Sequence, residues 1–103
     1  VEVTNSGQIV GFVGVSVVDG VSELVLNNSG SISTFFEGVR NTNGRLNISN
    51  AAGAVIETTS GTIAINSIQD RTDPGLNFDD LLVNSGTITG DVILGAGNDT
   101  VRS

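Results

Sequence analysis

The sequence predicts an all-β fold, a single-stranded parallel β-helix or solenoid. Three observations carry that reading. One short motif returns at a fixed step, glycines recur at matching offsets within each step, and apolar residues fall into files when the steps are stacked. The motif is Asn5-Ser6-Gly7-Gln8-Ile9, repeated as Asn28-Ser29-Gly30-Ser31-Ile32 and as Asn84-Ser85-Gly86-Thr87-Ile88. A looser copy is Asn50-Ala51-Ala52-Gly53-Ala54-Val55. Gly7, Gly30 and Gly53 are 23 residues apart, and the last step, to Gly86, is 33. A period of this length marks a stacked architecture in which each repeat is one rung. About four to five rungs, each ~4.8 Å from the next, fit a single solenoid segment over residues 1–103.

The elements follow rung by rung. Gly7 is followed by Gly14 and Gly20, Gly30 by Gly38 and Gly44, and Gly53 by Gly61 and Gly75. Glycine adopts positive φ without a steric penalty, so three glycines per rung imply three corners, about three short strands and a triangular section. Between the corners run Val, Ile and Thr, the residues that favour strands. Stacking the motif glycines aligns Ile9, Ile32, Val55 and Ile88 in one inward file. Val3, Leu26, Ile48 and Leu82 form a second, with one residue of slippage. Val15, Val39 and Ile63 follow the second corner, and Val21, Leu46 and Leu76 the third. Phe12 and Phe35 share an offset and are expected to stack inside. Glu23, Arg45 and Asp80 each precede a leucine, which predicts an exposed acid–Arg–acid column. Asn5, Asn28, Asn50 and Asn84, with Gly7, Gly30, Gly53 and Gly86, form a predicted structural ladder, because stacked Asn side chains bond along a column. A sandwich or an antiparallel barrel also has regular short strands, but neither requires a motif at a fixed step.

The long step holds about ten extra residues. The surplus is assigned to an inserted surface loop over 66–80, which carries Pro74 and four of the eleven acids. Insertions in solenoids gather on one face, often a binding face, so Asp70, Arg71, Asp73, Phe78 and Asp79 are binding-loop candidates. A solvated loop is the competing reading.

Composition narrows function. The chain lacks Cys, His, Trp, Tyr, Met and Lys. No disulfide or thiolate metal site can form, and the usual neutral-pH base is missing. The net charge of −7, with only Arg40, Arg45, Arg71 and Arg102 as cations, opposes nucleic-acid binding. No apolar run reaches the length of a membrane span. The chain opens on Val1 and shows neither a signal peptide nor capping segments, so it is expected to be an excerpt whose end rungs meet neighbouring rungs or other chains. Glu57, Asp70, Asp73, Asp79 and Asp80 could supply a glycosidase pair. The lack of Trp and Tyr, and the scarcity of cations, argue against a sugar-processing enzyme, and none is expected. Thr58, Thr59, Thr62, Thr87 and Thr89 do not complete the rank that ice binding requires. The sequons at Asn27, Asn47 and Asn98 are expected by chance in an Asn- and Ser-rich chain.

The segment from Asn84 through Thr89-Gly90-Asp91-Val92-Ile93-Leu94 to Gly95-Ala96-Gly97-Asn98-Asp99-Thr100-Val101 resembles the repeats of bacterial autotransporter passengers and related surface adhesins. That resemblance is loose over the whole chain and close over 84–101. It implies a right-handed β-helix, secretion, and work at the bacterial cell surface or outside the cell. Residues 95–101 also resemble half of a calcium-binding nonapeptide repeat, with Leu94 in place of its first glycine. The resemblance makes Asp99, Asn98 and Asp91 calcium candidates, against a purely structural corner; calcium wants six to eight oxygens from successive turns. No other cofactor is expected. The function read from the sequence is a structural or adhesive extracellular segment of a stalk, fibre or adhesin, stacking end to end into filaments or continuing into further rungs, with a host surface or glycan as partner. The alternative is a carbohydrate-binding or carbohydrate-active β-helix domain, such as a phage tailspike fragment.

Overall fold

The computed structural model describes residues 1–17, 23–60, 62–68 and 78–103. They form strands β1 (Glu2–Asn5), β2 (Gln8–Val17), β3 (Leu24–Asn28), β4 (Ser31–Thr42), β5 (Leu46–Asn50), β6 (Val55–Thr58), β7 (Ile63–Ile68), β8 (Leu81–Asn84), β9 (Thr87–Thr89), β10 (Asp91–Ile93) and β11 (Thr100–Arg102). No helix occurs among the described residues. Every strand pairing is parallel, and the chain is a β-solenoid.

One side is a five-stranded sheet in the order β1-β3-β5-β8-β11, so each coil lays its strand on the one before. Val25 lies on Glu2, Leu46 on Leu24, Leu81 on Asn47 and Thr100 on Leu81. Successive coils therefore take 23, 22, 34 and 19 residues on this side. The other two sides share the second sheet. β4 carries β6 on its first half and β7 on its second. The early coils turn this corner within one long strand, and the later coils break it into two.

Alternation explains which residues fill the centre. Side chains in a strand point to opposite faces with a period of two. In Leu24-Val25-Leu26-Asn27-Asn28 and Leu46-Asn47-Ile48-Ser49-Asn50, the first, third and fifth residues are buried. The two middle coils supply the driest layers: Leu24, Leu26, Ile32 and Val39 in one, Leu46, Ile48, Ile56 and Ile65 in the next. Each buried Leu or Ile contributes roughly 1.5–3 kcal/mol relative to exposure.

The file Val3–Leu26–Ile48–Leu82 forms as the sequence implies. Two other files shift, one by a residue and one by two. Ile32 lies beside Ile56, which in turn lies beside Ile88, while Val55 falls between Ser31 and Thr87. Val39 lies beside Ile65, and Ile63 beside Glu37. The first shift has its cause in the turn. Val55 N donates to Gly30 O and Thr87 N to Ala54 O, so Ala54 holds the place of Gly30 and Gly86. Gly53 is an added residue, at φ +80°, and does not belong to the glycine column. The corner residues Gly20, Gly61 and Gly75 and the file members Val21 and Leu76 lie outside the described residues.

The aromatic expectation is corrected too. Phe12 and Phe35 stack, with ring centroids 5.8 Å apart, but outside the coil: they are 62% and 58% exposed. Parity decides this. Ile9 and Ile32 point inward, so Phe12 and Phe35, three residues later in each strand, point out. A bulge adds a third ring. β2 and β4 shift register between Gly11/Val13, where one residue of β2, Phe12, faces two of β4, Phe35 and Phe36, and Phe12 stacks on Phe36 as well, at 5.3 Å.

The acid–Arg–acid column is half present. Arg45 Nε lies 3.7 Å from Glu23 Oε2 at the surface. Asp80 is not its outer neighbour. With Leu81 on Asn47, Asp80 stands level with Leu46, takes the parity of Leu24 and Leu46, and is buried.

Candidate functional site

The repeated Asn positions build the best-defined polar feature of the molecule. Each Asn closes its strand in the five-stranded sheet at an inward position, and its amide points along the axis. Asn5 Nδ2 donates to Asn28 Oδ1, Asn28 Nδ2 to Asn50 Oδ1 and Asn50 Nδ2 to Asn84 Oδ1, each at 2.9 Å. The same nitrogens approach two backbone carbonyls apiece. One belongs to the Asn's own turn: Gly7 O, Gly30 O or Ala54 O. The other belongs to the next coil: Ser31 O, Val55 O or Thr87 O. In the first and last of these turns the oxygen also takes a backbone donor, Gly7 N on Asn5 and Gly86 N on Asn84. Only an amide offers both a donor and an acceptor at this reach. A serine falls short, and stacked aspartates would repel. The ladder thus ties coil to coil inside the structure. Its chemistry is cohesion.

A second polar corner precedes β8 and β11. Asp80 Oδ1 accepts the Leu46 N–H at 2.8 Å, and Asp99 Oδ1 accepts the Asp80 N–H at 2.9 Å. Asp79 Oδ1 accepts the Asn98 N–H at 2.8 Å. Phe78 belongs to the same corner: a Cβ on Gly97, whose φ is +120°, would lie 2.2 Å from Phe78 O. Burial pushes the Asp80 carboxyl above the ordinary aspartate range, and the Asp99 charge adds to the rise. The Leu46 and Ser67 hydrogen bonds and the Arg45 charge oppose it.

The calcium candidates do not converge. Asn98 and Asp99 meet Asp79 and Asp80 at this corner, whereas Asp91 begins β10 and sits beside Ile63 on another side. Among the described residues, no group of three or more acids is placed to hold a metal ion. Of the binding-loop candidates, Asp70, Arg71 and Asp73 lie outside the described residues, as do residues 69–77 generally. Of the expected 66–80 loop, Asn66-Ser67-Ile68 is the end of β7. Glu57 is on the outer surface and accepts the Ser33 hydroxyl at 3.0 Å. Sequence reasoning missed Glu37, whose buried carboxylate receives Asn66 Nδ2 at 3.1 Å and lies 3.6 Å from Arg40. Residues three apart in a strand point to opposite faces, so the spacing of Glu37 and Arg40 in β4 gave no signal of the pair.

The raised Asp80 value has a consequence with a definite sign. A carboxyl that ionises at higher pH in the folded chain than in the unfolded one makes folding more favourable when protonated. That contribution is complete below the unfolded-state value and is lost as pH rises through the folded-state value. Asp80→Asn keeps an oxygen for the Leu46 N–H and removes the charge. It is expected to melt above the parent at pH 7, with the gap closing on acidification. Thermal melts across a pH series check this; a variant less stable than the parent at pH 7 would contradict it.

Comparison of the chain with models of protein families, with curated proteins and with solved structures gives no match.

Proposed function

We propose that this chain is a structural segment of a β-solenoid stalk, fibre or adhesin that works at a bacterial surface or outside the cell, and that it is not an enzyme. The observation that supports this reading is the internal Asn ladder, three 2.9 Å amide bonds in line with the parallel backbone pairing. Interactions aligned with one axis resist extension and repeat without limit, as a stalk requires. The polar groups at the Asp79–Asp80–Asp99 corner support the same reading, because each named carboxylate holds a backbone N–H of an adjacent coil. The surface location rests on the resemblance of residues 84–101 to adhesin repeats.

The partner in this reading is another stretch of the same architecture, either further rungs or a second copy. Exposed strand edges pair with matching edges, and a head-to-tail contact that does not close propagates into a filament. The charge of −7 opposes such stacking, so salt screens and promotes it. Light scattering and electron microscopy of the 103-residue chain across a salt series test this. Scattering that rises with salt, with axial stacks in the images, is expected. A dispersed monomer at high concentration and high salt would overturn self-stacking. Turnover of a polysaccharide would overturn the non-enzymatic reading.

A further inference from the structure

We infer that the outward ridge of Phe12, Phe35 and Phe36 is a docking platform for a neutral polysaccharide chain. The three rings are 62%, 58% and 37% exposed, and Val10 beside them is 69% exposed. They are mutually ordered: Phe12 stacks on Phe35 at 25° between ring planes and on Phe36 at 24°. At about 200 Å² per ring, they leave roughly 300 Å² of aromatic surface in water, the size of the largest exposed patch on an ordinary folded domain, which is often functional.

Size and surroundings choose the occupant. A stable protein partner needs about 800 Å² per side, well beyond this ridge. A peptide adding as a strand needs a free backbone edge. Phe35 and Phe36 lie in β4, which is paired with β2 on one edge and with β6 and β7 on the other. β2, which carries Phe12, offers a free edge, since among the described strands it pairs only with β4, but that edge lies along the axis while the rings project from the outer face, so an apolar peptide is kept as a contrast in the test. A flat pyranose ring instead presents an apolar C–H face of the same width as a phenyl ring and hydroxyls at its rim. The ridge is bordered by groups that suit those hydroxyls. Ser33 and Glu57 are joined at 3.0 Å on the adjoining outer face. Ser60 and Thr62, 3.0 Å apart, donate to the carbonyls of Phe35 and Phe36 and keep oxygen lone pairs for a ligand. Arg40, the one cation of β4, is held by Glu37 at 3.6 Å, so among the described residues this strand offers no unpaired cation to an acidic sugar. The described surface contains no pocket. An open ridge suits a chain passing across it rather than an enclosed monosaccharide. This inference deepens the adhesive part of the function proposed above and rests on it.

The test is titration of the full chain with cellulose- and laminarin-derived oligosaccharides, with an oligogalacturonate and an apolar peptide as contrasts. Binding is read by calorimetry and by the phenylalanine ring resonances. A neutral oligosaccharide is expected to shift those resonances. Phe12→Ala and Phe35→Leu are each expected to weaken binding by roughly three- to tenfold, the effect of one stacking contact of about 0.5–1.5 kcal/mol. Both positions are exposed, so both variants are expected to stay folded at the titration temperature, with the melt of Phe12→Ala lowered modestly by the loss of its two ring stacks, and circular dichroism checks this. The inference is overturned if no neutral oligosaccharide moves a ring resonance at about 10 mM, if both variants bind like the parent, or if the oligogalacturonate or the peptide binds better. Such results leave salt-dependent stacking untouched, so the ligand and the scaffold fail separately.

Discussion

Asn28→Ala is expected to destabilise the chain by about 2–4 kcal/mol, because it strands partners on both sides of the ladder. Asn28 is 1% exposed: its Oδ1 accepts from Asn5 Nδ2, one N–H donates to Asn50 Oδ1, and the other is shared between Gly30 O and Val55 O. Alanine offers nothing to any of them and leaves a void. Urea unfolding measures the loss as a midpoint lowered by roughly 1–2 M at ordinary slopes for a small domain. Asn28→Asp sharpens the test. The ionised carboxylate cannot donate to Asn50, and burial penalises its charge, so the variant is expected to be poor at neutral pH. It should recover in acid, where a protonated carboxyl again provides one donor and one acceptor. A loss below about 0.5 kcal/mol for Asn28→Ala, with the fold intact, would mean that the ladder holds little of the structure together.

The ladder and the file Val3–Leu26–Ile48–Leu82 were legible in the sequence for one reason. Both sit on strands of four or five residues in strict alternation, where position within the strand and residue type agree. Elsewhere they conflict, and position wins. Phenylalanine reads as core, yet Phe12 and Phe35 stand at outward parity and stay in water. Aspartate reads as surface, yet Asp80 stands level with Leu24 and Leu46, turns inward, and gives one carboxyl oxygen to the Leu46 N–H. The Asp80 error began with the 34-residue coil, which hides the register of β8. Aligning Asn84 on Asn50, rather than Leu81 on Leu46, would have recovered it, since the two Asn residues close their strands four residues after Asp80 and Leu46 respectively. The shift of Val55 against Ile56 has the same origin at smaller scale. A glycine three residues after Asn50 looks like the motif glycine, but Gly53 is the extra residue of a longer turn, and Ala54 is the true equivalent of Gly30.

Gly30→Ala and Gly7→Ala are expected to differ sharply, although both change the same motif position. A Cβ on Gly30 would lie 2.0 Å from Gly7 O and 2.9 Å from Gly7 C and N. Those atoms are backbone of the preceding coil, fixed by Ser31 N donating to Gly7 O at 2.9 Å and by Asn5 reaching Ser31 O at 3.1 Å. They cannot swing aside as a side chain would. The first coil must lift from the second or the turn must distort, so Gly30→Ala is expected to cost about 3 kcal/mol or more, at or above the usual range for overpacking. A Cβ on Gly7 meets nothing within 4 Å, and its φ lies outside the left-handed region. Gly7→Ala should therefore be neutral or stabilise by up to about 1 kcal/mol, through the lower entropy of the unfolded chain. The difference comes from stacking: a glycine is required here when its turn rests on the turn of the coil before it. Thermal melts of the two variants decide the matter, and equal melting points would mean that the turns do not nest at this distance.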